Sequence, residues 1–280
     1  MCRERNVYED CYRDGCDYES TLHGMPPGGG SIVPRIAMTR TLFAIVSIAL
    51  APVCLFAQNV GTGQSGLRRT PDGKPDLSGI WQVMNTANWN VLDHNAEKGV
   101  PAGQGVVEGN ELPYTPAAAA KKKSNYESRA TADPESKCFL PGVPRATYMP
   151  FPFQIVQTPE QITMLYEYAH TVRNIFMGTP HISGQLFWWM GDSRGHWDGD
   201  TLVVDVTDFN DETWFDRSGN FHSDELHVIE RYTLVDADHI NYEATIEDPK
   251  VFTRPWKMSM ILNRHKEKNF RLLEYECFSF

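Results

Sequence analysis

From residue 151 onward, apolar residues recur at every second position. The clearest case is 240–247, where Ile240, Tyr242, Ala244 and Ile246 alternate with Asn241, Glu243, Thr245 and Glu247. In an extended chain a period of two puts one set on each face, so these segments must bury one face of a sheet and wet the other. Turn signals divide the runs. Pro159-Glu160 separates 153–158 from 161–168, Asp198-Gly199 separates 195–197 from 200–207, and Asp236-Ala237-Asp238 separates 226–235 from 239–246. Segment 171–177 reads as a further strand, and 256–262 with 270–278 as a last pair. Strands joined in order by short turns favour a mainly β fold, an antiparallel meander closed into a barrel, with a β-sandwich as the alternative.

One helix precedes the sheet. Thr115-Pro116 supplies an N-cap and a first-turn proline, 117 to about 129 continues helically, and Asp133-Pro134 ends it. Lys121, Lys122 and Lys123 read as a solvated face. The Asn- and Gly-rich stretch 85–114 reads as a long loop.

The first 57 residues read differently. Met38-Thr39-Arg40, an apolar run to Phe56 and the small residue Ala57 have the form of a secretory signal (38–57), leaving no membrane span in the mature chain. Residues 1–37 read as an upstream extension from an early start, 58–74 as a flexible leader, and 75–280 as one domain. Export makes the protein secreted or periplasmic and leaves only Cys138 and Cys277 of six cysteines. In an oxidising compartment these read as one disulfide, with two buried thiols as the alternative.

The net charge of −10 argues against a nucleic-acid partner, which needs basic surface. A hydrophobic content of 41% supplies one sizeable core and excludes a disordered acidic chain.

Gly79-Ile80-Trp81 resembles the Gly-x-Trp start of lipocalin-like barrels. A longer resemblance rests on Pro75-Asp76-Leu77-Ser78-Gly79-Ile80-Trp81, Cys138-Phe139-Leu140-Pro141-Gly142-Val143-Pro144-Arg145, Gly199-Asp200-Thr201-Leu202-Val203-Val204-Asp205, and Asp248-Pro249 with Thr253-Arg254-Pro255-Trp256. Together they resemble a family of exported bacterial proteins of unassigned function. The resemblance implies export and a single domain, and carries no catalytic residues over.

Four groups of residues stand out for chemistry. The run 222–231 packs His222, Glu225, His227 and Glu230 together, the composition of a metal or acid–base site. On a regular strand His222 and His227 would face opposite ways, so they share a site only if 222–225 is loop. Asp192, Asp198, Asp200, Asp208, Asn210, Asp211 and Asp216 offer oxygen ligands suited to Ca²⁺, though not at EF-hand spacing. Arg173 and Glu167 lie within apolar strands; an inward Arg173 or Glu230 must be paired. Aromatic side chains, Trp81, Trp188, Trp189, Trp197, Trp214 and Trp256 among them, suit a core with a few at a ligand-binding mouth.

These features favour an exported hydrolase of a small amphipathic ester or lactone held in a barrel cavity. His222, His227, Glu230 and Arg173 are its candidate catalytic residues, and Glu225, Asp211, Asp192 and Asp200 its candidate metal ligands. The divalent cation is Ca²⁺ first, and Zn²⁺ if both histidines ligate. The alternatives are a non-catalytic binding protein for a small hydrophobic molecule and a structural domain of the envelope. Inward histidines and carboxylates favour the enzyme, an apolar lining the carrier, and a filled interior the third.

Overall fold

The computed structural model describes residues 66–184 and 186–278. The upstream extension and the signal segment lie outside them. Nine strands are present among the described residues: β1 (Gly79–Val83), β2 (Phe153–Gln157), β3 (Gln161–Tyr166), β4 (Val172–Met177), β5 (Asp192–Asp198), β6 (Thr201–Thr207), β7 (His227–Leu234), β8 (His239–Glu247) and β9 (Trp256–Arg264). They form a closed barrel in sequence order, with β1 pairing both β2 and β9. The sandwich alternative is thereby set aside. Helix α1 (Pro116–Ala132) has Thr115 as its N-cap, whose side chain accepts the Ala118 N–H.

Two expectations about the sheet need correction. The barrel is mixed, because β4 and β5 run parallel. The chain from 178 to 191 travels back along the wall before β5 begins, which a tight turn cannot do. The last pair is also different. Residues 270–278 form no strand, and the edge of β9 that they would occupy is taken by β1, through Trp81↔Arg264 to Val83↔Leu262. The segment is fastened instead by Cys277, which bonds Cys138 at a Cα–Cα distance of 5.4 Å, and by Tyr275 against Phe151 and Tyr168.

The period of two does what the pattern requires. Along β7, Val228, Glu230, Tyr232 and Leu234 are buried while His227, Ile229, Arg231 and Thr233 are half-buried on the outer face. The interior is filled by Trp81, Phe153, Met164, Tyr232, Tyr242 and their neighbours. Gly79 answers to a local demand. Its φ is 143°, and a Cβ there would stand 2.1 Å from Arg264 Nη1, whose guanidinium lies over the Trp81 ring.

Residues 66–74 depart from the flexible-leader expectation, since Arg69 donates to both Asp200 oxygens, at 2.9 and 2.7 Å. The lysine run is also less free than expected, with Lys121 Nζ lying 4.4 Å over the Phe221 ring. Among the described residues no helix is long and apolar enough to cross a membrane.

Candidate functional site

The structure brings Arg173 and Glu230 together and places His222 and His227 apart from them and from each other. His222 precedes β7 and is buried between the Phe209 and Phe215 rings. Its Nδ1–H donates to the Ser223 carbonyl at 2.9 Å, and its Nε2 accepts from the Thr213 hydroxyl at 2.6 Å. Both ring nitrogens are spent on the fold, and burial holds its pKa below the ordinary histidine value. A histidine held neutral in the native state binds less proton than in the unfolded chain. Stability is then intact above about pH 6.5 and falls as the pH drops below it, with a slope approaching about 1.4 kcal/mol per pH unit. In urea titrations between pH 7 and 5, His222→Gln should flatten this acid loss; an unchanged slope would count against it.

Glu230 and Arg173 point into the barrel and pair with each other. Arg173 Nη1 donates to Glu230 Oε1 at 3.2 Å, Nη2 to Oε2, and Nε to Ser193 Oγ at 3.0 Å. Glu230 Oε1 also accepts from Tyr232 and Tyr242, at 3.0 and 2.9 Å. Burial works against the Arg173 charge, but Glu230 outweighs it and holds the guanidinium well above its ordinary pKa. Burial and Glu230 likewise push the Tyr232 and Tyr242 phenols well up. Across from Glu230 on β8 stands Ala244, which leaves room for this network. The pair is closed on itself within a packed core, so it forms no site with His222 or His227.

His227 lies on the outer wall, its Nε2 2.9 Å from Asp205 Oδ1 and its Nδ1 3.5 Å from Glu247 Oε2. The proposed metal ligands scatter as well. Glu225 is exposed on Lys250, Asp200 is held by Arg69, and Asp211 is exposed at a loop. Asp192 alone lies in a possible ligand group, formed with His181 and Asp208, whose ligand atoms all stand within 4.8 Å of one another. His181 was not singled out from the sequence, because it sits in the non-repeating segment 178–191.

A concave feature of the surface lies elsewhere, where the 85–114 loop meets α1. A cleft of about 400 Å³ opens between Trp89, His94, Glu97, Tyr126, Arg129 and Arg217. On one wall the Arg129 guanidinium lies 3.8 Å over the Tyr126 ring, whose hydroxyl donates to Glu97 at 2.9 Å. On the other the Arg217 guanidinium lies 4.2 Å over Trp89. Such stacking holds each ring and each cation in one orientation.

A buried charge network supports the cleft. Arg145 donates to Asn88 Oδ1 at 2.9 Å, Asp133 Oδ1 at 3.2 Å and Glu135 Oε2 at 2.6 Å; Glu135 Oε2 also takes Arg217 Nε at 2.7 Å. Burial raises the Glu135 carboxyl, but Arg217 and Arg145 outweigh it and hold it below its ordinary value. Beside it, Asp216 accepts the Val91 N–H at 2.9 Å and tethers the loop that carries Trp89 and His94. Within the cleft His94 Nδ1–H donates to the Leu92 carbonyl at 2.8 Å, while its Nε2 is buried and has no hydrogen-bond partner. Sequence reasoning missed the cleft. Its one signal was a loop too long to be only a connection.

A scan against protein-family models matches none, and a search of curated proteins finds no match.

Proposed function

We propose that this is an exported, non-catalytic binding protein for a small amphipathic molecule, and that the ligand lies in the cleft on the barrel flank rather than inside the barrel. The observation that carries this reading is a cleft of small-molecule size whose walls are the Trp89 ring under Arg217 and the Tyr126 ring under Arg129. Trp89 and Tyr126 offer a flat apolar surface, and Arg129, Arg217 and Lys98 stand against Glu97, Glu127 and Asp133, so the lining favours neither sign of charge. A neutral molecule with an apolar face and a polar edge fits that chemistry. The packed interior argues against a lipocalin-type occupant. Export rests on 38–57 and on the resemblance of the four motifs.

Tryptophan fluorescence and melting curves with a panel of hydroxylated aromatics, acyl lactones and disaccharides test the reading. A true ligand at 100 times its Kd should add about 2.7 kcal/mol of stability. Trp89→Ala and Tyr126→Ala should each remove that gain. No shift across the panel, or an equal shift in both variants, would count against the cleft.

Hydrolysis of an ester or lactone is the second reading, favoured by the grouping of His181, Asp192 and Asp208 beside the exposed Ile182 and Trp188, whose N–H groups bond Asp192 and Asp208. The polar group would hold a cation to polarise the carbonyl, and the apolar side chains would take the tail. An ester and lactone screen with and without chelator tests it.

A further inference from the structure

We propose that the outer wall of the barrel carries a zinc site whose ligands are His181 Nδ1, Asp192 and Asp208. It is separate from the cleft, and it stands whether or not a ligand occupies the cleft.

Two paired strands and a turn position the ligands. Asp192 opens β5 directly across from Thr207, the last residue of β6, and Asp208 follows Thr207. Asp208 has a φ of 60°, in the left-handed region that few residues other than glycine, asparagine and aspartate enter, and its carboxylate accepts from the Thr207 hydroxyl at 2.9 Å. His181, from the 178–191 segment, completes the group, with Nδ1 2.9 Å from Asp192 Oδ2 and 3.2 Å from Thr207 Oγ1. All three ligand atoms lie within 4.8 Å of one another. Donors around a tetrahedral zinc stand about 3.3–3.5 Å apart, so small side-chain movements suffice.

The second contact of the ring and the local charge fit a cation. His181 Nε2 faces Asp205 Oδ1 at 3.3 Å, so each ring nitrogen meets a carboxylate. A neutral imidazole has one N–H to share between them. The Nδ1–H donates to Asp192 in the absence of a metal, and zinc would take the place of that proton between Nδ1 and the carboxylates while Nε2–H is given to Asp205. Asp205 is itself held by His227 Nε2. A carboxylate on the far nitrogen of a ligating histidine is the arrangement that fixes such a ring for a metal.

Asp192, Asp205, Asp208 and Glu247 gather here, and among the ion pairs of the described residues Arg194 is the one Arg or Lys side chain that reaches them. Arg194 donates to both Asp192 oxygens, at 2.9 and 2.8 Å, and so sets the direction of that carboxylate. One imidazole with two carboxylates suits zinc; calcium takes six to eight oxygens and does not favour a nitrogen ligand.

The test is equilibrium dialysis of untagged, chelator-treated protein against zinc sulfate, with calcium chloride as a parallel arm. One zinc per chain is expected, with affinity falling at least tenfold in His181→Ala and in Asp208→Asn. Among the described residues the Asp208 carboxylate accepts only from the neighbouring Thr207 hydroxyl, and its carbonyl keeps the Trp188 N–H, so its variant should fold, and circular dichroism checks this. His239→Ala removes a different exposed His–Asp pair and should bind zinc like the parent. Zinc should also raise the melting temperature of the parent and not of Asp208→Asn. No retained zinc, equal zinc in His181→Ala and Asp208→Asn, or calcium taken in preference would each overturn the site.

Discussion

Glu230→Ala is expected to destabilise the protein by about 3–5 kcal/mol, because it leaves the Arg173 guanidinium charged, buried and unpaired. The same change strips Tyr232 and Tyr242 of the acceptor for their hydroxyls. Replacing both partners, as Arg173→Met with Glu230→Leu, removes the stranded charge. It should restore most of the loss or exceed the parent, since a buried ion pair is often no better than well-packed apolar side chains of similar volume. Urea titrations of the single and double variants measure both effects. A loss under about 1 kcal/mol for Glu230→Ala, or a double variant no better than the single one, would show that the pair is not sealed from water.

Removing the Cys138–Cys277 bond should cost about 4–5 kcal/mol. The two residues are 139 apart in sequence, and a link that closes so long a loop takes much conformational freedom from the unfolded chain. The bond also holds a segment with few other ties. Residues 265–278 contribute no strand, and the Leu273 N–H on Glu167, at 2.7 Å, is one of few hydrogen bonds they make to the barrel. The Cys138→Ser, Cys277→Ser double variant avoids a stray thiol, and its urea midpoint gives the loss. An unchanged midpoint, or two free thiols in oxidised folded protein by mass spectrometry, would end the claim.

The two predictions bear differently on what was legible. The disulfide followed from counting: once 1–57 are set aside, two cysteines remain. The Arg173–Glu230 pair was legible as a condition, since an inward charge must be paired, but not as a fact. Alternation says that 173 and 230 each share a face with apolar neighbours. It does not say which elements stand opposite. His222 and His227 show the same limit. Their odd separation already spoke against a shared site, and the structure puts one in an aromatic core and the other on the outer wall.

The fold was therefore written largely in local patterns. Period two, short turn signals and a capped helix start are properties of a few consecutive residues, and backbone sterics and hydrogen bonding turn them into strands, hairpins and α1 without reference to distant parts of the chain. Closure of the barrel, the parallel β4–β5 step, the replacement of 270–278 by β1 at the last edge, the cleft, and the meeting of His181 with Asp192 and Asp208 depend on contacts between segments far apart in sequence. Such contacts are set by which surfaces pack best once every strand has a partner. Nothing in the spacing of His94 from Tyr126, or of Arg145 from Arg217, records that they end up around or beneath one cleft, because tertiary packing alone brings them together.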